Sequence, residues 1–432
     1  MIDDRPLALH ARYVFPVSSR PINDAYVVVH HGRVQQIAQH PDQLDPSCQV
    51  QELGNVALLP GLINAHTHLQ FSQLTMPLPH RGSSFASWIR SVIDYRRRQD
   101  QTSPGWIEEA VAQGATEAFT AGTVGMCEIM SVPPHDWPAI QRNLERLASF
   151  SQRYIACLEL IGNELDRVNQ AIENTRHAFT LFHAMRKTCP QQYRCQMAIS
   201  PHAPYSTTPD LVRQCVQLAN NNHCLLAMHL AESSEEMQLL EQHDGPLVEL
   251  LRELGFWNPT SIPKGTRPLD YLRLLAQAPR SLVVHGNCLS DDELSFVAHH
   301  ADRMSLVHCP RTHEYFGRPT FPLAEIMARG IRVVVGTDSR ASNPDLSIWN
   351  EIRTLAGIWR KRIPPEKILG MGTNEAAQAL GLSGYGEIVP GARASFAKVP
   401  LSGEAALEPY ELLWCGDRAE PLDFPLSHDI IP

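Results

Sequence analysis

The stretch LLPGLINAHTH, residues 58–68, decides the fold. It is an apolar run that contains a Pro-Gly pair and ends in two histidines with one residue between them. On an extended chain alternate side chains share a face, so His66 and His68 project together. Two imidazoles side by side at a strand end can bind one metal ion. A bare His-x-His also occurs as a surface or packed pair, so a metal site needs further ligands from elsewhere in the chain.

Short apolar runs recur after this stretch. The first covers residues 56–64, and the others lie at 121–126, 154–160, 196–200, 224–229, 281–285, 304–308 and 331–338. Runs that are apolar on both faces predict buried parallel strands, and the segments between them carry helix patterns. These eight β–α repeats predict an α/β fold, a distorted (β/α)8 TIM barrel. The alternative is a doubly wound open sheet, which usually shows a Gly-rich phosphate turn that this chain lacks.

The two ends of the chain have a different pattern. Residues 26–30 and 33–37 flank His31-Gly32, which is a hairpin signal, and a third strand is predicted at 50–53. Near the other end, segments 387–389 and 395–399 are β-like. We therefore expect a small β-sandwich domain built from residues 1–57 and 385–432, and a TIM-barrel catalytic domain at 58–384.

Composition narrows the class of protein. The chain has 432 residues, a formal net charge of -9 and no basic stripe, which does not favour a nucleic-acid partner. No apolar stretch approaches the roughly 18 residues of a membrane helix, and no secretory signal is evident. The 10 cysteines are scattered without a Cys-x-x-Cys motif, which is typical of a cytoplasmic protein. The run of arginines at 96–98 is interpreted as a solvated helix face.

The ends of the predicted barrel strands carry the chemistry, because TIM-barrel enzymes place their catalytic residues there. Three histidines can supply nitrogen ligands and one aspartate an oxygen, and this set suits one divalent ion, zinc or iron(II). Such an ion lowers the pKa of a bound water to about 7. Strand four ends without a lysine, which favours one ion over two. The predicted ligands are His66, His68, His229 and Asp338.

Two further residues complete the predicted catalytic set, in which Asp338 can also take a proton from water. Glu232 follows His229 by three residues and can pass a proton to a leaving nitrogen. The alternative is a structural role for Glu232, as an N-cap or first-turn acidic residue of the helix that follows. His285, at the end of the sixth strand, can orient the attacking hydroxide and stabilise the charge that develops on the attacked centre.

As a set, these motifs resemble the amidohydrolase superfamily, and within it the mononuclear deaminase and chlorohydrolase branch. The resemblance implies that the four predicted ligands bind the metal and that Glu232 and His285 act with the hydroxide. Residues 200–206 are similar to the substrate-contacting segment of methylthioadenosine/S-adenosylhomocysteine deaminases and aminofutalosine deaminases, which implies that His202 faces the substrate. The motifs that carry the resemblance lie at residues 60–68, 229–232, 285 and 336–339.

Several residues are candidates for substrate contact. Gln70 stands where relatives often carry Glu, a residue that can contact sugar hydroxyls. Phe85, Trp88, Arg311 and His313 lie on predicted strand-end loops, where they can stack on a heteroaromatic ring or pair with an anionic group. Each of these four side chains could equally serve packing.

The leading hypothesis is a metal-dependent hydrolytic deaminase that releases ammonia from an aminated heteroaromatic, an adenosine-type nucleoside such as aminofutalosine. Two alternatives stay open. One is a chlorohydrolase or cyclic-amide hydrolase that uses the same metal hydroxide, and the other is a non-catalytic barrel that acts as a binding module. We expect a small-molecule substrate, no nucleic acid and no membrane as partners, and by family analogy a homodimer.

Overall fold

The computed structural model of the protein describes residues 5–78, 84–188, 194–402 and 408–422. The outermost parts of the predicted β-domain, at 1–4 and 423–432, lie outside these residues. The strands of the described part are β1 (Leu7–Val14), β2 (Ile22–His30), β3 (Arg33–Ala38), β4 (Gln49–Pro60), β5 (Leu62–Thr67), β6 (Thr123–Met130), β7 (Arg153–Leu160), β8 (Cys195–Pro201), β9 (Leu226–Leu230), β10 (Ser281–His285), β11 (Met304–His308), β12 (Arg332–Val335), β13 (Phe396–Pro400) and β14 (Glu420–Leu422).

The helices alternate with the strands of the central part of the chain. They are α1 (Phe85–Thr102), α2 (Trp106–Thr120), α3 (Trp137–Ala148), α4 (Leu165–Thr188), α5 (Pro209–Asn222), α6 (Ser234–Gln242), α7 (Pro246–Glu253), α8 (Pro268–Leu275), α9 (Asp291–His299), α10 (Pro310–Tyr315), α11 (Leu323–Ala328), α12 (Ile348–Trp359), α13 (Pro365–Gly370), α14 (Asn374–Leu380) and α15 (Pro409–Trp414). Among the described helices, none combines the length and the apolarity that a membrane crossing requires.

Strands β5 to β12 form one eight-stranded sheet in chain order. The ladders from β7 to β12 are parallel. A parallel bridge between Thr67 and Asp338 joins the end of the last strand to the first, and the Asp338 N–H donates to the His66 carbonyl at 3.1 Å. The sheet is a nearly closed barrel, so the predicted TIM barrel is confirmed.

One predicted strand is divided in the structure. The sequence predicts a first barrel strand over residues 56–64, but β4 ends at Pro60 in one sheet and β5 begins at Leu62 in the other. Gly61 lies between them, and a Cβ at this position would come within 2.4 Å of Val124 Cγ2. The Pro-Gly pair therefore marks the change of sheet. The barrel strand β5 includes His66 and ends at Thr67, one residue before His68.

Strands from both chain ends form a six-stranded sheet in the order β14-β13-β4-β1-β2-β3, as predicted. The β2–β3 hairpin is confirmed, whereas residues 387–389 form no strand. Alternate side chains pack on opposite faces, as in a pleated strand: Leu9 and Val27 belong to one buried cluster, and Ala8 and Val28 to another. This sheet accounts for the β-pattern at both ends of the sequence.

One compact unit comprises Ala65–Ala115 and Cys127–Leu346, and it contains every candidate site residue. The site can therefore be described within this unit alone. The predicted domain boundaries after residues 57 and 384 stay predictions.

A candidate metal-dependent active site

Three histidines from two strand ends converge. One ring nitrogen of each of His66, His68 and His229 lies within 4.8 Å of the others. His68 Nε2 and His229 Nε2 are 3.2 Å apart. In a tetrahedral zinc site with Zn–N bonds near 2.0–2.1 Å, ligand nitrogens stand roughly 3.3 Å apart. The separation of these two nitrogens fits a pair of ligands that share one ion.

Asp338 places a carboxylate beside this cluster. Its Oδ1 lies 3.7 Å from His66 Nε2 and 3.8 Å from His68 Nε2. Its Oδ2 accepts a hydrogen bond from Ser342 Oγ at 3.1 Å, which leaves Oδ1 directed toward the histidines. Three imidazole nitrogens and one carboxylate oxygen form a donor set that suits a divalent ion, so the residues present fit the predicted metal.

The tautomer of His229 follows from its surroundings. Its Nδ1 lies 3.0 Å from the backbone carbonyl of His202, and because a carbonyl oxygen only accepts, Nδ1 carries the proton. The lone pair of Nε2 is then directed at the cluster. Burial, and after it the His66 and His202 imidazoles, holds the pKa of His229 well below its usual range, so the ring is neutral at pH 7.

The backbone turns sharply where the site residues leave the strands. Ala231, His285 and Asp338 have φ angles of 55°, 72° and 56°, in the left-handed region that side chains with a Cβ rarely adopt. Strained backbone of this kind persists only where the surrounding structure enforces it, and such residues are often found at functional sites. Here it is associated with the ends of β9, β10 and β12, which present their side chains to a common centre.

Glu232 and His285 face each other across 3.6 Å (Oε2 to Nε2), and both are buried. Burial raises the pKa of Glu232 to about 8, although the Arg318 guanidinium at 3.5 Å opposes the shift. Burial, and then the His229 and His66 imidazoles, lowers the pKa of His285 well below its usual range. Burial therefore favours the protonated form of the Glu232 carboxyl and the neutral form of the His285 imidazole.

A second carboxyl holds the turn that carries Glu232. Glu236 is fully buried in α6, and it accepts hydrogen bonds from the Ala231 N–H at 2.8 Å and the Glu232 N–H at 2.9 Å. The Asn287 side-chain amide donates to the Glu232 carbonyl at 3.0 Å. The backbone of this turn is thus held on both sides, which positions the Glu232 side chain beside His285.

A cavity of about 260 Å³ opens over these residues. Its lining includes His68, His229, Glu232, His285 and Asp338, and also the predicted substrate residues Gln70, Trp88 and His202. Gln70 is buried, and its Oε1 has no hydrogen-bond partner in the described part of the chain. A buried carbonyl oxygen without a partner is costly, so a ligand donor in the cavity would satisfy it.

Three predicted substrate residues lie outside the cavity lining. Arg311 forms a two-point ion pair with Asp345 at 2.6 and 3.0 Å. His313 lies 2.6 Å from the Pro319 carbonyl oxygen and 3.1 Å from the Asn287 side-chain oxygen, which engages both of its nitrogens. Phe85 is buried against Trp88 and Phe316. The structure gives Arg311 and His313 hydrogen-bonding partners and Phe85 a packing role, and it places none of them in the lining.

Three further residues in or near the site were not among the candidates predicted from the sequence: Arg96, Glu159 and Arg318. Arg96, interpreted as solvent-facing, lines the cavity with Glu159. Arg318, which contacts Glu232, lies over the rings of Phe316 and Phe85 at 4.6 and 6.0 Å. The strand-seven histidine, His308, is buried against Phe321 and is absent from the lining. A helix-face spacing could have indicated Arg96, but Arg318 follows from tertiary packing alone.

Comparison with known proteins places the chain in a family. Residues 57–417 match the model of the Amidohydrolase family. The chain is 26% identical over 365 residues to a 5-methylthioadenosine/S-adenosylhomocysteine deaminase of Nitratidesulfovibrio vulgaris, with 81% of this chain and 73% of that protein covered. It is 25% identical over 407 residues to the Bacillus cytotoxicus protein of the same name, with 90% and 83% covered.

Solved structures share the fold. The Helicobacter pylori aminofutalosine deaminase in complex with methylthio-coformycin superposes with a TM-score of 0.77 at 24% identity, and 96% and 97% of the two chains are covered. An adenosine deaminase from Xanthomonas campestris with bound zinc gives 0.72 at 20% identity, with 95% and 89% covered. The chain belongs to the amidohydrolase family, as the motifs predict.

Proposed function

We propose that this member of the amidohydrolase family is a metal-dependent deaminase that hydrolyses the exocyclic amine of an adenosine-type nucleoside. It is a hydrolase of carbon–nitrogen bonds other than peptide bonds, which family membership and the deaminase names of its relatives support. One observation carries the proposal. The Glu232 carboxyl and the His285 imidazole lie 3.6 Å apart in the cavity that His68 and His229 line.

The metal would be held by His66, His68, His229 and Asp338, and we propose zinc ahead of iron(II) because the set is rich in imidazole nitrogen. When bound, a zinc ion supplies a hydroxide at neutral pH by lowering the pKa of a bound water to about 7. Asp338 is placed to accept the proton that this water loses. Ser342 Oγ holds the other carboxylate oxygen at 3.1 Å and keeps Asp338 oriented for that transfer.

Glu232 is proposed as the proton donor to the substrate. A ring nitrogen accepts the electron pair displaced by the attack more easily when it is protonated. The exocyclic amino group likewise leaves as ammonia more easily once it is protonated. Attack on an aminated ring carbon therefore needs an acid close to these nitrogens. Because burial raises the pKa of Glu232 to about 8, its carboxyl still carries the proton at pH 7. Arg318 limits this shift, which keeps the pKa close enough to neutrality for the proton to be given up and recovered.

His285 is proposed to bind the oxygen that attacks the ring. It is buried, neutral and adjacent to Glu232, so it can donate one hydrogen bond without adding a positive charge. A preorganised donor of this kind stabilises the charge that develops in the transition state. Gln70, Trp88 and His202 would contact the rest of the substrate, for which aminofutalosine is one candidate.

The test is a panel of amines scored by ammonia release. Zinc-loaded protein is offered adenosine, 5′-methylthioadenosine, S-adenosylhomocysteine, aminofutalosine, aminopterins and aminotriazines. We expect ammonia from at least one adenosine derivative, with kcat/KM of about 10⁴ M⁻¹s⁻¹ or more. No ammonia from any amine would contradict the proposal, and chloride release from a chlorotriazine in that case would favour the chlorohydrolase alternative.

A further inference from the structure

The His68 imidazole is held differently from the His229 imidazole. His229 Nδ1 donates to the His202 carbonyl, and this hydrogen bond fixes the orientation of the ring. His68 Nδ1 is buried, and among the described residues it has no hydrogen-bond partner. The position of the His68 ring therefore depends on the backbone that carries it and on the side chains that pack around it.

The backbone after His68 forms a tight turn. Residues Leu69–Phe71 form one turn of 3-10 helix, and the His68 carbonyl accepts a hydrogen bond from the Phe71 N–H at 3.3 Å. His68 itself has a φ of -125° and a ψ of 87°, outside the helical region. The ψ angle is the rotation between the His68 Cα and the planar peptide unit that joins it to Leu69. A group that fixes this peptide unit therefore also limits where the His68 side chain points.

A buried carboxyl from the neighbouring strand binds this peptide unit. Glu128 lies in β6, which is next to β5 in the barrel sheet. The Leu69 N–H donates to both carboxyl oxygens, at 2.9 Å to Oε2 and 3.1 Å to Oε1. Glu128 is 2% exposed, and it does not belong to the described residues that line the cavity. Its carboxyl therefore contacts the turn that carries His68 and not a ligand in the cavity.

Packing alone does not explain a carboxyl at this position. Burial of a polar group is unfavourable unless hydrogen bonds compensate for the lost water. Burial also raises the pKa of Glu128 well above its usual range, although the hydrogen bond from Leu69 opposes the shift. An apolar side chain of similar size would fill the same space without this cost. The hydrogen bond to the Leu69 N–H is thus the interaction that accounts for a carboxyl here.

A second turn of the site is held in the same way. Glu236 accepts hydrogen bonds from the Ala231 and Glu232 N–H groups, directly after the strand that carries His229. In both turns a buried carboxyl binds backbone N–H groups that follow a predicted metal ligand. The two carboxyls come from different elements, β6 and α6, so the arrangement arises twice in this site.

We propose that Glu128 is a positioning residue for the metal ligand His68 and that it acts through the Leu69 N–H. This role rests on the metal site of the proposed function. Without the Glu128 acceptor, a buried N–H would lose its partner and the peptide unit after His68 would lose its fixed orientation. The His68 imidazole would then be presented less well to the ion. Removal of partners that orient metal ligands typically weakens metal binding by about 10- to 100-fold.

The experiment measures metal binding rather than turnover. The full-length protein is stripped of metal, and zinc affinity is measured by competition with a chromophoric chelator for the wild type, Glu128→Met, Glu128→Asp and Glu128→Gln. Cobalt(II) is then bound to the same proteins, because its visible absorption depends on the number and geometry of its ligands. Thermal unfolding of the metal-free proteins records the general effect of each change on the fold.

The three variants differ in the acceptor that they offer to the Leu69 N–H. Glu128→Met removes the acceptor and Glu128→Asp withdraws it by one methylene group, so both should bind zinc about 10- to 100-fold more weakly and change the cobalt spectrum. Glu128→Gln keeps a carbonyl oxygen of the same reach, so its zinc affinity should stay within about threefold of the wild type.

Glu293→Met is the matched control. Glu293 is also 2% exposed, and it accepts hydrogen bonds from the Ser290 N–H at 2.9 Å and the Leu269 N–H at 3.2 Å. These bonds lie at the starts of α9 and α8, and Glu293 is not among the described residues that line the cavity. This variant should lower the unfolding temperature while zinc affinity and the cobalt spectrum stay at wild-type values.

Two results would overturn the inference. One is wild-type zinc affinity with an unchanged cobalt spectrum in Glu128→Met and Glu128→Asp, and the other is an equal loss of affinity in Glu293→Met. If Glu128→Met does not fold, equal zinc affinity in Glu128→Asp and Glu128→Gln overturns it. A wild type that binds zinc but releases no ammonia contradicts the proposed function alone, because the role of Glu128 is judged on zinc affinity and the cobalt spectrum.

Discussion

Two regions of the cavity lining differ in the kind of residue that forms them. At the histidine cluster, the polar side chains come from strand ends, are buried, and meet one another at 3.2 to 3.8 Å. Elsewhere in the lining, helices α1 and α7 supply apolar side chains and one half-buried arginine. Left-handed strand-end turns and buried hydrogen bonds hold the first region in place, whereas the second is held by packing between helices.

This difference divides the functions of the two regions. The strand-end region would determine which chemistry takes place, and the helix-lined region would determine which substrates enter. A change at the first should therefore abolish turnover with every substrate. A change at the second should alter KM or substrate preference and leave the metal content and kcat almost unchanged.

The largest effect is expected for His229→Ala. Removal of one of three clustered nitrogens should lower both bound metal and kcat/KM, the latter by about 10³-fold or more, because the site would no longer hold the ion that would supply hydroxide at neutral pH. Metal content by mass spectrometry and ammonia release on the same samples check this. His177→Ala, an exposed helix position, is the control. A His229→Ala protein that keeps one equivalent of metal and full activity would contradict the ligand assignment.

Glu232→Gln and His285→Ala should separate catalysis from metal binding. Both side chains lie beside the cluster and neither is a proposed ligand, so the variants should retain metal. The expected loss in kcat is about 10²- to 10³-fold, the usual contribution of a proton donor or of a hydrogen bond to a developing oxyanion. Unchanged turnover in Glu232→Gln would favour the chlorohydrolase alternative over deamination.

Arg318→Met tests the electrostatics at the edge of the site. The Arg318 cation lowers the pKa of Glu232, whereas burial raises it to about 8. If protonated Glu232 is the acid, kcat/KM falls as pH rises through this pKa. Removal of the cation should raise the pKa and move the alkaline limb to higher pH, with a change of up to about tenfold at a given pH. Arg303→Met, at an exposed position, should leave the limb in place, and a shift of the Arg318→Met limb to lower pH would count against the role of Glu232.

The smallest effect is expected on the α7 wall. Leu250→Ala removes apolar contact area that a substrate arm would bury, at about 0.8 kcal/mol for each methylene group. KM should rise about three- to tenfold while kcat and metal content stay at wild-type values. Steady-state kinetics with an adenosine derivative that carries an apolar 5′ group provide the measurement. Loss of metal in this variant would show that the two regions are not independent.

The strand-end region could be predicted because its signals are local in the sequence. β10 and β11 have the predicted bounds, 281–285 and 304–308, and each ends in a histidine. The strand-ending histidines and Asp338 were recognisable because parallel strands bring their carboxyl ends to one edge. The division at Gly61 was missed because the apolar run continues across it, and only the contact with Val124 shows why a glycine is required.

The helix-lined region could not be predicted in the same way. The spacing of Trp88, Val92 and Arg96 places these residues on one face of α1, but only the packing of the helix shows that this face meets the cavity. The sequence makes Arg311 a candidate for binding an anionic group of the substrate. In the structure its guanidinium forms an ion pair with Asp345, which lies 34 residues later in the chain. Contacts between loops that are distant in the sequence leave no periodic pattern.

We propose that one metal ion, held at the strand ends, enables this chain to deaminate an adenosine-type nucleoside. The most direct test is to remove metal with a chelator, titrate zinc back, and record ammonia release from the best amine of the panel. Activity should rise in proportion to added zinc and reach its plateau at about one equivalent per chain. Activity that is independent of metal, or a zinc-loaded protein that releases no ammonia, would contradict the account.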